Sequence, residues 1–87
     1  MRLVSQDWMC SVPFDVVSLE VEWVPESWCV IAKDGGHRRY CMGEYAEKET
    51  AKYVLYSAVN NSTHVGAFTF PDDETANKWR ELVERTR

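Results

Sequence analysis

The sequence predicts one α+β domain over residues 1–87, an antiparallel β-sheet of hairpins with two helices packed on one face. Three patterns carry the prediction. Val17, Leu19, Val21 and Trp23 alternate with Ser18, Glu20 and Glu22, the two-residue period of a strand with one dry and one wet face. Ala51, Val54, Leu55, Ala58 and Val59 fall at spacings of three and four, which makes one stripe along a helix. Ala76, Trp79, Leu82 and Val83 repeat that spacing behind Pro71-Asp72-Asp73-Glu74, where a proline, an aspartate cap and first-turn acids mark a helix start.

Taken in order, Arg2-Leu3-Val4-Ser5 and Cys10-Ser11-Val12 are short strands joined through Asp7-Trp8-Met9. Pro13 cannot donate to a ladder, so it marks an edge or a break. Phe14 to Val24 is the longest strand, and Pro25-Glu26 turns the chain. Trp28 to Lys33 and His37 to Met42 form the next hairpin, closed by Asp34-Gly35-Gly36, whose glycines tolerate the positive φ of tight turns. A three-residue loop sets Cys29 opposite Cys41, with Trp28, Val30, Tyr40 and Met42 on the other face; a four-residue loop pairs Cys29 with Met42. The first register is preferred because it gathers the larger apolar groups on one side.

Gly43-Glu44-Tyr45 hands the chain over to a helix from about residue 46 to about residue 60. Glu44, Glu47 and Glu49 lie near its positive end, and Asn60-Asn61-Ser62-Thr63 stops it. His64 to Phe70 is a further strand with Phe68 and Phe70 on one face. The second helix carries Glu74/Lys78, Arg80/Glu84 and Glu81/Arg85 as i,i+4 pairs on its wet side. The expected order is therefore β-β-β-β-β-α-β-α.

Eighty-seven residues make one small domain, which buries only roughly 60–65% of its unfolded surface. A hydrophobic fraction of 45% with 28% charged residues is ordinary globular material. The net charge of −4 disfavours direct nucleic-acid binding. No apolar run approaches the ~20 residues of a membrane span, and the opening residues hold no signal-like segment. The expected location is the cytoplasm, where the three cysteines stay reduced.

Candidate chemistry is sparse. Cys10, Cys29, Cys41, His37 and His64 suffice by number for zinc, but no Cys-x-x-Cys or close His/Cys pair is present. The expectation is buried thiols acting as small hydrophobes, with no metal and no cofactor. Neither strand cysteine lies at a helix N-terminus, and no acid pair stands in apolar surroundings, so no enzyme is expected. His37-Arg38-Arg39, with Lys33 across the turn, is the one concentrated basic feature; it reads as a solvated hairpin tip or as a grip for phosphate. Trp23, Trp28 and Trp79 fall on apolar stripes and read as core. Trp8 does not, and reads either as an exposed interface anchor or as a lid folded onto the sheet. Asp72, Asp73 and Glu74 read first as a helix start and second as an acidic patch for a partner.

The opening Met1-Arg2-Leu3-Val4-Ser5-Gln6-Asp7 with Val12-Pro13-Phe14, the central Gly43-Glu44-Tyr45 leading into Glu47-Lys48-Glu49-Thr50-Ala51-Lys52, and the late Phe70-Pro71-Asp72-Asp73-Glu74 resemble a set of small proteins of gram-positive bacteria, their phages and integrative elements. In that pattern a turn glycine stands where this chain has Trp8, and a capping serine or threonine where it has Ala46. The resemblance implies a mobile-element setting and no particular chemistry. The expectation is a non-enzymatic binding protein, a counter-defence inhibitor of anti-CRISPR type that occludes a host or defence protein. The alternatives are a protein that sequesters a nucleotide signal at the hairpin tip, alone or across a homodimer, and a structural or regulatory accessory.

Overall fold

Six strands and two helices follow the expected order in the computed structural model, which describes residues 1–35, 38–61 and 66–85. They are β1 (Arg2–Val4), β2 (Ser11–Pro13), a turn of 3-10 helix (Phe14–Val16), β3 (Val17–Val24), β4 (Ser27–Asp34), β5 (Arg39–Tyr45), α1 (Lys48–Asn60), β6 (Ala67–Thr69) and α2 (Asp73–Arg85). The fold is α+β. Its strands divide into two three-stranded sheets, ordered β2-β1-β6 and β3-β4-β5. The larger is an antiparallel meander; in the smaller, β1 pairs antiparallel with β2 and parallel with β6. Pro13 ends β2 at a sheet edge, where its missing N–H costs no ladder bond, and the 3-10 turn redirects the chain before β3. That break is why one expected sheet becomes two.

The core joins both sheets to the helices. Leu3 and Val12 come from the small sheet, Val30, Ala32, Met42 and Tyr45 from the large one, and Ala51, Val54, Ala58 and Ala76 from the helices. Phe70 closes the interior and meets Phe68 edge-on, with ring centroids 5.2 Å apart.

Two tryptophans depart from the expected core. Trp23 is 57% exposed; it lies at the end of β3, opposite Trp28, and tilts against that ring at 5.0 Å. Trp79 is exposed as well, because α2 buries Ala76 but leaves Trp79, Leu82 and Val83 to solvent. Only the first half of α2 meets the core.

The β4–β5 hairpin adopts neither register considered from sequence. Lys33, Ala32 and Ile31 face Arg39, Tyr40 and Cys41, whereas Val30, Cys29 and Trp28 face Gly43, Glu44 and Tyr45. Met42 is the extra residue of a β-bulge, so Cys29 lies opposite Glu44 rather than Cys41 or Met42. The bulge has a cause in packing: Met42 is fully buried in the core, and an unbroken alternation would have turned Tyr45 outward. It also lengthens β5 through Tyr45, so Glu44 belongs to a strand and not to the start of α1.

Candidate functional site

The turn between β1 and β2 is small and heavily braced. Asp7 Oδ1 accepts the Ser5 hydroxyl at 2.7 Å and the Met9 N–H at 3.0 Å. Ser5 Oγ accepts the Cys10 N–H at 3.0 Å, and the Ser5 N–H donates to the Cys10 carbonyl at 2.8 Å. Trp8 donates its N–H to the Ser5 carbonyl at 3.0 Å and holds φ at 65°, the left-handed region that favours glycine. Its side chain is 72% exposed and that of Met9 is 84% exposed. Trp8 is therefore not a lid on the sheet. The Ser5 hydroxyl, followed by the Met9 N–H, holds the Asp7 carboxyl below its ordinary value, so the brace is intact at neutral pH.

The basic hairpin tip is less available than its sequence implies. Lys33 Nζ contacts Glu20 Oε1 at 2.6 Å, and Arg39 pairs with Glu22. Both partners come from the wet face of β3. Arg38 is exposed, and its N–H donates to Asp34 Oδ1 at 3.1 Å. His37 lies outside the described residues. The tip thus mixes cations with Asp34, Glu20 and Glu22, a poor cradle for phosphate.

The acids before α2 serve the fold. Asp72 Oδ1 accepts the Thr75 N–H at 2.7 Å, the N-cap bond expected from sequence. Asp73 Oδ1 accepts the Ala46 N–H at 3.2 Å and so ties the start of α2 to the segment before α1. Glu74 contacts Lys78 at 3.3 Å on an exposed face. Between the helices lies a cleft of about 520 Å³, lined in part by Tyr53, Tyr56 and Val83 and crossed by the Glu47–Arg80 pair at 3.1 Å.

A further group joins Glu44, which the sequence did not single out as a ligand, to Cys29 and Cys41, which it weighed for zinc and set aside. Cys29 Sγ, Cys41 Sγ and a Glu44 carboxylate oxygen all lie within 4.8 Å of one another on the outer face of the large sheet. Cys29 is buried, whereas Cys41 and Glu44 are exposed. Burial first, then the Cys41 thiol and the Glu44 carboxylate, push the Cys29 thiol up to about 12; burial is also the main cause of the upward shift at Cys41. Beside them is a cavity of about 250 Å³ that Gln6 and Asp7 complete from the β1–β2 turn.

Compared with protein-family models, characterised proteins and solved structures, the chain matches none. Among the described residues, no helix is long and apolar enough to cross a membrane.

Proposed function

We propose that this chain is a non-enzymatic binding protein of phage or mobile-element origin that inhibits a host defence component by covering one of its surfaces. One observation carries the reading: Trp8 and Met9 project into solvent from a turn already fixed by its own hydrogen bonds. A tryptophan buries roughly 150–250 Å² at an interface, about 4–6 kcal/mol of gross hydrophobic gain at about 25 cal/mol per Å². Because the turn is braced beforehand, little of that gain goes to ordering the backbone. A large apolar group held in a left-handed conformation is also costly to keep exposed, so the arrangement suits a surface selected for contact. The counter-defence setting is supported by the motif likeness alone. Sequestration of a nucleotide at the hairpin tip has weaker support, because Lys33 and Arg39 are each engaged with a glutamate.

The test is affinity capture with immobilised protein from a gram-positive lysate that contains an active defence system, run beside the Trp8→Ala/Met9→Ala variant. Expected is a defence component retained by the parent chain and weakened roughly thirtyfold or more in the variant, the loss typical of a hot-spot residue. Recovery of no defence protein, or equal recovery with the folded variant, overturns the proposal.

A further inference from the structure

We propose that Cys29, Cys41 and Glu44 form a binding site for one divalent cation of the zinc class. The β-bulge at Met42 creates it. In an uninterrupted strand, Cys41 and Glu44 are three positions apart and face opposite sides of the sheet. The extra residue resets the alternation, so both side chains emerge on the outer face beside Cys29 of the neighbouring strand. Two sulfurs and a carboxylate oxygen suit a borderline-soft ion, which binds sulfur at about 2.3 Å and carboxylate oxygen at about 2.0–2.2 Å. The donors lie within 4.8 Å of one another, and the exposed Cys41 and Glu44 side chains can close the remaining gap by rotation. The fourth corner falls to solvent, on the side where Asp7 and Gln6 line the adjoining cavity.

Cys29 pairs across the ladder with Glu44 on one side and, on the other, with Glu22, which Arg39 engages. Uptake releases the two thiol protons to solvent, which leaves two thiolates, one carboxylate and the ion. A disulfide explains less. Cys29 and Cys41 are not direct cross-strand partners, and a disulfide has no use for the carboxylate within the same 4.8 Å. This site is independent of the Trp8 surface, and its test needs no partner protein.

The experiment is a Co²⁺ titration of the full chain, kept reduced and freed of metal with a chelator, followed by absorbance. Expected is a thiolate-to-cobalt charge-transfer band that saturates at one ion per chain and disappears when Zn²⁺ is added. Cys41→Ser and Glu44→Gln alter exposed positions and should fold; each is expected to weaken uptake by at least the ~10–100-fold that losing even an outer contact costs. Cys10→Ser should leave the titration unchanged. Zn²⁺ should raise the melting temperature of the parent chain and not that of Cys41→Ser, since an ion that binds only the folded state stabilises it. Absence of the band, its persistence in Cys41→Ser, its loss in Cys10→Ser, or an ion shared between two chains overturns the proposal.

Discussion

Trp8 holds φ at 65° where glycine is the economical choice, and Glu26 does the same at 79° in the β3–β4 turn. A side chain in this region costs about 1–2 kcal/mol, partly offset on replacement by the greater unfolded freedom of glycine. Trp8→Gly is therefore expected to stabilise the fold by about 1 kcal/mol in urea unfolding while it abolishes capture of the partner. A variant that lost both stability and capture would instead make Trp8 a structural residue. Gly43 is the opposite case, a glycine required by space. A Cβ there would stand 2.6 Å from the Tyr45 hydroxyl oxygen and 2.9 Å from a ring carbon. That ring is buried, with its hydroxyl donating to the Pro71 carbonyl at 2.8 Å, so it has little room to yield. Gly43→Ala is expected to cost about 1–3 kcal/mol in urea unfolding and, by shifting the bulge, to weaken Co²⁺ uptake as well.

At the scale of elements, α2 begins on a carboxylate whose titration can be followed. The Thr75 N–H, followed by its hydroxyl, holds Asp72 below the ordinary 3.8. Its folded value is thus the lower one, so its contribution to stability is complete above the unfolded value and is lost as pH falls through the folded value. The Thr75 amide resonance should titrate with a midpoint below 3.8, and Asp72→Asn should flatten that part of the acid response; a midpoint at or above 3.8 contradicts the cap. This cap, the alternation in β3 and the α1 stripe as far as Ala58 were legible in the sequence because each is a local pattern of adjacent residues; Val59, read on the same stripe, is exposed. The bulge was not. Its cause is the burial of both Met42 and Tyr45, a tertiary demand that strand period alone does not express. The carboxylate of the thiol–carboxylate group stayed hidden for the same reason: the sequence set Cys29 near Cys41, but Glu44 comes opposite Cys29 only through that bulge. Gly43, followed by Tyr45 at inward spacing, was the one available signal. Trp23 and Trp79 were misplaced because an apolar stripe tells which face a residue occupies and not how far the opposing element extends.

Across the whole molecule, the chain closes on itself through β1. Arg2, Leu3 and Val4 pair with Pro13, Val12 and Ser11 on one side and with Ala67, Phe68 and Thr69 on the other, so the first of the described strands waits for the last. Gln6 reinforces that closure: its N–H donates to the Met42 carbonyl at 2.7 Å, and its side chain donates to the Pro71 carbonyl at 2.9 Å and accepts the Glu44 N–H at 3.2 Å. The small sheet, the bulge and the start of α2 are thereby one connected unit, with the Trp8 turn fixed at its edge. Such long-range pairing forms late, because the intervening loop must be ordered before the contacts repay it. Leu3 lies at the centre, fully buried between Val12 and Phe68. Leu3→Ala should cost about 2–5 kcal/mol. A chain of 87 residues has roughly 4–13 kcal/mol in all at 0.05–0.15 kcal/mol per residue, so this one truncation can remove a large share. Urea unfolding should show a lower midpoint with an unchanged slope, the mark of lost stability in a single cooperative unit. A second, earlier transition confined to the small sheet would show that β1 and β6 close independently of the meander, and that the Trp8 turn is anchored to a separable piece.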